Sequence, residues 1–330
     1  MVSDTRAPRS EASEGARFLR GALSWLYPHP GFWLALAGLW ILNMAWVARD
    51  SRLSFTSQSI QKMSFVFLGT AVALAYRQWR GPCHGRGFDT LFRLLMLAFF
   101  AGFLTQQINL FSHLMMTLGL PWADRHLAAW DSALGFDWNG YARLVTAHPW
   151  SRRGLLIAYS LAIGPALAMI LIIAVWRGRH DRVDEVAFLA LASGFICVAV
   201  AGLLPAVSAW SSVASPDVLA GLGHLPEVWL EQVKALRGDG PVSLDLGTME
   251  GIATFPSFHT CLALIIAWCS RGHWSGFLAG STVGLAILAA TPVHGAHYGV
   301  DLLGGAAVIT GLVLLWPRLA PRVRSGGSRP

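Results

Sequence analysis

Two histidine-bearing stretches contain the residue types able to do chemistry. GIATFPSFHT runs from Gly251 to Thr260 and passes directly into the apolar LALIIAW, while TPVHGAHYGVD runs from Thr291 to Asp301. In the second stretch His297 and Asp301 are four residues apart, which on a helix places them on one face, a turn from each other. A carboxylate there accepts the imidazole N–H, fixes the tautomer and stabilises the charge that forms when the other nitrogen attacks. In the first stretch Pro256 and Ser257 make a good helix start, because Pro lacks the N–H that would be orphaned there and Ser can cap the first turn. Free backbone N–H groups and the helix dipole make that spot attractive to a phosphate. His259 sits in the same first turn, and an imidazole, titrating at about pH 6.5, can deliver a proton to a departing alkoxide. Together these residues describe phosphoryl transfer through a phosphohistidine, with His297 as nucleophile, Asp301 as its partner and His259 as general acid.

These residues must be positioned by membrane helices. With 54% hydrophobic residues, 13% charged residues and a mean hydropathy of +0.50, the chain is too apolar for an ordinary soluble domain of its length. A span needs roughly 20 mostly apolar residues. Such runs predict eight spans: Gly31 to Ala48, Met63 to Tyr76, Leu94 to Leu118, Gly154 to Trp176, Val186 to Val207, Ser257 to Ser270, Ser275 to Ala290 and His297 to Trp316. The fold class is thus all-α, a polytopic membrane helix bundle. The sixth span goes in and the seventh returns, so His259 and His297 come back to one membrane face. Taken singly, Pro-Ser-x-His is often only a capped helix start and His-x-x-x-Asp only a structural hydrogen bond. Ionisable groups at membrane depth are costly and functional by default, and three converge here.

Basic residues in short loops stay on the cytoplasmic side. An inside N-terminus places 16 of the 25 Lys and Arg residues there, so both termini are expected in the cytoplasm and the active site near the outer, extracytoplasmic face of an inner or plasma membrane. The net charge of +7 then reflects topology and not nucleic-acid binding. Residues 1–25 read as a disordered cytoplasmic tail, 26–93 as two spans with a cytoplasmic loop, 94–317 as a six-helix catalytic domain and 318–330 as a basic tail. The four cysteines show no metal spacing and no obvious pairing; Cys197 and Cys261 read as core filling, and neither a disulfide nor a structural metal is expected.

Two long polar stretches fall on the outer side. Leu120 to Arg153, rich in Trp and Tyr, reads as a re-entrant or interfacial helix pair in which Asp131 and Asp137 bind a polar headgroup or, the preferred reading, cap the helices. Ser208 to Pro256 ends in the first histidine motif. Gln106, Gln107 and Asn109 in the third span read as interhelical hydrogen-bonding amides.

PSFHT and HYGVD resemble the second and third signature motifs of the type 2 phosphatidic acid phosphatase superfamily, most closely the inositol phosphorylceramide synthase branch and more distantly the sphingomyelin synthases. The similarity covers about Pro121 to Leu315, including AAWDSALGFDW and LPAVSAW. It implies a six-helix catalytic core preceded by two extra spans, and it carries the same roles onto His297, Asp301 and His259, with Ser257 and its neighbouring amides holding the phosphate. No cofactor is implied. The chain departs from the hydrolytic branch at Thr291, where that branch has an Arg six residues before the histidine, and in lacking its Lys-x-x-x-x-x-x-Arg-Pro motif.

An anionic transition state still needs cationic donors. Arg152 and Arg153, at the start of the fourth span, are the nearest outer-face candidates for phosphate binding, with snorkelling to the headgroups as the plainer alternative. Arg125 and Arg143 are weaker candidates, and His294 is an auxiliary donor or the end of a loop. The expected reaction moves a phosphorylated headgroup, such as inositol phosphate, from a lipid donor to a lipid hydroxyl; with water as acceptor the enzyme would be a lipid phosphate or polyprenyl pyrophosphate phosphatase. A non-catalytic membrane protein with structural histidines is the contrasting reading.

Overall fold

The computed structural model describes residues 27–80, 86–222 and 227–325. The expected tail over residues 1–25 lies outside them, as do residues 326–330. Helix α1 (Pro30–Arg49) starts with Pro at its first position and with the His29 side chain accepting the Gly31 N–H, which relieves one orphan donor. Strand β1 (Leu53–Phe55) leads into α2 (Ser57–Arg80), and α3 (Arg86–Met116) is the longest helix described. Asn43 on α1 donates to the backbone and side-chain oxygens of Gln107 on α3, at 3.0 and 3.1 Å, the interhelical use expected of that amide.

Two short helices, α4 (Asp124–Ala133) and α5 (Trp138–Thr146), occupy the Trp-rich stretch. The fourth expected span is broken into α6 (Pro149–Leu161) and α7 (Ile163–Trp176), bent by 50°. Pro165 explains the break: without an N–H it cannot bond the Leu161 carbonyl, and its ring crowds that oxygen. After α8 (His180–Leu203) come three short helices, α9 (Ala209–Ser212), α10 (Pro216–Leu222) and α11 (Glu227–Arg237), and then β2 (Val242–Leu244). β2 pairs in parallel with β1, Leu53 opposite Val242, so the second polar stretch folds back onto the N-terminal hairpin.

The last three helices are α12 (Phe258–Cys269), α13 (Trp274–His294) and α14 (Gly299–Ser325). Among the described residues six helices are long and apolar enough to cross a membrane, the α6–α7 pair makes a seventh, and α12 is a shorter apolar helix. The protein is an integral membrane helix bundle. Its centre is an apolar layer of Leu189, Cys197, Cys261, Ile265, Ile309 and Leu312, contributed by α8, α12 and α14. The Cys197 and Cys261 sulfurs lie 3.7 Å apart in it as free thiols. A separate layer, including Leu127, Trp138, Val145, Val218, Val293 and Tyr298, packs the short helices against the turn between α13 and α14.

Candidate active site

Both histidine motifs lie at helix starts at the same end of the bundle. Ser257 is the N-cap of α12, its Oγ accepting the Thr260 N–H at 3.3 Å, so the helix proper begins at Phe258 and His259 is its second residue. A helical hairpin later, His297 precedes α14 and Asp301 lies in that helix's first turn. Gly305 lets the two elements close up, since a Cβ there would sit 2.4 Å from the Ser257 carbonyl oxygen.

His297 Nδ1 lies 2.9 Å from Asp301 Oδ2, which also accepts the Tyr298 N–H at 3.0 Å. An ionised Asp301 can only accept, and in that state the contact places the imidazole proton on Nδ1 and leaves a lone pair on Nε2. That lone pair is turned toward Ser257, whose Oγ is 3.5 Å away. His297 and Asp301 are 3% and 0% exposed, so water does not screen their interaction. The ring of His259 lies 6.3 Å from that of His297, inclined at 61°. It stacks on Tyr159 of α6, with centroids 4.2 Å apart and the phenol oxygen 3.3 Å from His259 Nδ1. The two histidines can therefore flank one small group.

The short helices grip this turn from outside. Asp131 on α4 accepts the N–H groups of Gly299 and Val300, at 2.8 and 2.7 Å, and so caps α14 from 168 residues away. Burial pushes the Asp131 carboxyl above the usual carboxylate range, and those two N–H donors pull it back. Asp124 accepts from Val207 N, Ser208 N and the Tyr298 hydroxyl. Trp138 donates to the His297 carbonyl at 3.0 Å, and Trp210 to that of Val293 at 2.9 Å. Ala296 adopts a left-handed φ of 56°, a strained conformation for a residue with a Cβ, and its carbonyl accepts the Ala209 N–H. Gly295 cannot carry a Cβ without meeting the Tyr159 hydroxyl at 2.7 Å and the His297 ring at 2.8 Å.

Residues 125–315, more than half of the chain, match the PAP2 superfamily. The chain belongs to the PAP2 superfamily. No curated protein and no solved structure matches it. PAP2 membership makes the protein an enzyme of a family of phosphatases and phosphotransferases that act on lipid phosphates in membranes. The match begins beside the start of α4 and ends within α14, so it takes in the gripping helices as well as both histidine motifs.

The other residues expected at the site are placed unequally. Thr291, standing where the hydrolytic branch has an Arg, is buried with its hydroxyl donating to the Ile287 carbonyl of its own helix. Arg152 lies seven residues before Tyr159 on α6, which is two turns up the same face and about 10 Å along the axis. Its Nη1 donates to the Gly221 carbonyl of α10 at 2.7 Å. Arg153 is turned about 100° round the helix and is exposed. Arg143 pairs with Asp217 at 3.1 Å, and His294 ends α13. Asp137 caps its own helix, accepting the Gly140 N–H at 3.0 Å, as expected. Tyr159, Tyr298, Asp124 and the target of Asp131 are not evident from the sequence. No local pattern marks the first three, while Asp131 lies in AAWDSALGFDW, where a local cap fits the spacing equally well.

Proposed function

We propose that this PAP2 enzyme is a phosphotransferase that moves a phosphorylated headgroup between lipids by way of His297. The observation that supports this best is the buried 2.9 Å contact of His297 Nδ1 with Asp301, which leaves Nε2 as a directed nucleophile beside Ser257 and His259. In the first half-reaction Nε2 attacks the lipid phosphorus. The bond from phosphorus to the departing lipid oxygen breaks, and protonated His259 gives its proton to that oxygen. Asp301 balances the positive charge on the imidazole ring. In the second half the acceptor hydroxyl gives its proton to His259, its oxygen attacks the phosphorus, and the P–N bond breaks. Ser257 and the first-turn amides of α12 hold the phosphoryl oxygens. Arg152 supplies the cation, since Thr291 has no charge to offer; Arg153 and His294 are secondary donors. No cofactor or metal takes part in this scheme.

The length of α12 supports a lipid substrate. Twelve residues rise about 18 Å against a hydrocarbon core of about 30 Å, so the site is sunk below the headgroup plane or the bilayer thins around it. A phosphate anchored by lipid tails reaches such a depth more readily than a soluble ester. The arginine distribution supports both termini in the cytoplasm and the site toward the outer face. The resemblance to the inositol phosphorylceramide synthase branch points to an inositol phosphate donor and a ceramide or diacylglycerol acceptor.

The test uses purified protein in nanodiscs with labelled phosphatidylinositol or phosphatidic acid, with and without ceramide or diacylglycerol, following both free phosphate and new phospholipid. New phospholipid that forms only with acceptor, and vanishes in His297→Ala, is the expected result. Free phosphate released regardless of acceptor makes the enzyme a phosphatase. Full turnover in His297→Ala removes the mechanism altogether.

A further inference from the structure

At the end of the bundle opposite the histidines, α7, α12 and α13 enclose a cavity of about 610 Å³. Its mouth is lined by Arg177, Arg179, Arg182, Arg271 and His273, and its depth by apolar residues such as Ala166, Ile170, Ile266, Ala279 and Val283. From Arg177 to Ala166 the lining follows α7 for 11 residues, about 16 Å of helix. The cavity therefore has a cationic mouth and a long apolar floor.

Loop arginines that merely set topology need only reach water. Here they are built into the wall. Glu185, 4% exposed, receives Arg182 at 2.8 Å and Arg271 at 2.6 Å, and also accepts the Trp268 indole N–H at 2.9 Å. Arg182 donates in addition to the Arg271 carbonyl, and the Arg271 guanidinium lies 3.9 Å above the Trp268 ring. Arg179 pairs with Asp181 at 3.4 Å. Asp184, next along the chain, accepts the His29 N–H at 2.9 Å. Among the described residues, the arginines of the mouth make ion pairs with two carboxylates, Asp181 and Glu185. Arg177 forms no ion pair with a described residue, and the other side of the mouth holds His273, whose Nδ1 lies 2.8 Å from the Ser275 hydroxyl.

We infer that this cavity binds an anionic phospholipid, with its phosphate at Arg177 and His273 and an acyl chain along α7 and α13. Charge complementarity selects the anion, because Arg177 stands unpaired among the described residues at the end of an apolar span, and basic pockets between membrane helices hold acidic lipids. The apolar floor selects a lipid over a soluble anion, which would fill only the mouth. The site shares no residue with the histidine end, so it does not rest on the catalytic reading.

Native mass spectrometry of protein taken from bilayers of equal phosphatidylglycerol and phosphatidylcholine tests this. Wild type should keep one phosphatidylglycerol in preference to phosphatidylcholine. Arg177→Ala with His273→Ala should lower its occupancy at least fivefold, and so should Ala279→Phe, which leaves the charges in place and fills the groove. None of these residues takes part in a described ion pair, and unchanged elution and melting of each variant show that the fold is intact. Equal retention of the two lipids overturns the inference, as does undiminished phosphatidylglycerol in either variant. Displacement of the lipid by millimolar inorganic phosphate, with Ala279→Phe behaving as wild type, would instead show a site for soluble anions and also overturn it.

Discussion

The two helix starts that meet at the site are built differently. α12 is capped by Ser257, whose hydroxyl takes an N–H three residues on in the same chain segment. α14 is capped by Asp131, which comes from another helix 168 residues away and takes two N–H groups at once. A local cap sets only where its helix begins. A remote cap also fixes where that start lies relative to the rest of the molecule, and α14 is the helix that carries Asp301 and follows directly on His297. The turn of His297 is further tied by Trp138 to the His297 carbonyl and by Ala209 to that of Ala296, whereas His259 stacks on Tyr159 and meets its hydroxyl at 3.3 Å. In the proposed mechanism the nucleophile is thus fixed by several distant elements, and the acid by its own helix and one neighbouring aromatic ring.

Substitutions at the two helix starts should differ widely in effect. Asp301→Asn should have the largest effect, about a thousandfold loss of kcat, because the amide no longer fixes the Nδ1–H tautomer or balances an imidazolium. Single-turnover kinetics on folded protein would show it, and a loss under tenfold would mean that the carboxylate is only structural.

Asp131→Ala should come next. It orphans two helix-start donors and should cost about 2 kcal/mol of stability. It should also lower kcat by about tenfold with little change in KM, since the nucleophile loses its position and the lipid-binding surface is unaltered. Rescue by Asp131→Asn, which keeps one acceptor oxygen, would separate positioning from a requirement for charge. Ser257→Ala should cost less stability, about 1 kcal/mol, because the cap it removes is local. If Ser257 also touches the phosphate, its KM should rise as well, which a cap alone does not explain.

The smallest effect belongs to the surface pair Arg143–Asp217. The Ser215 hydroxyl first, and the Arg143 guanidinium second, hold the Asp217 carboxyl down to about 2. A depressed carboxylate stabilises the fold above its ordinary range and loses that contribution only as pH falls from about 4 toward 2. Both groups are exposed, so Asp217→Ala should leave the neutral-pH melting temperature unchanged within error.

Much of this arrangement is legible in the sequence where cause and effect are close together. Apolar runs of about 20 residues marked the long helices, Pro-Ser marked the start of α12, and the spacing of His297 and Asp301 announced their contact. Gly164-Pro165 also explains the break in the fourth span, although the run of hydropathy alone concealed it. Asp131 and Asp137 show where such legibility stops. Both are acidic residues in one short segment and both looked like local caps. Asp137 is one, whereas Asp131 reaches a helix that only the folded chain brings near. Tyr159 carries no signal at all, because an aromatic residue in a span is ordinary until a histidine is stacked on it.

In the proposed mechanism His297 takes the phosphoryl group covalently. Rapid acid-free quenching of the enzyme with phosphorus-labelled lipid donor, followed by peptide mapping, would capture that intermediate. The expected result is a label on the peptide containing His297 that is stable to base and labile to acid, is discharged by acceptor and is missing in His297→Asn. Turnover at the wild-type rate with no label on that peptide, or an equal label in His297→Asn, would contradict it.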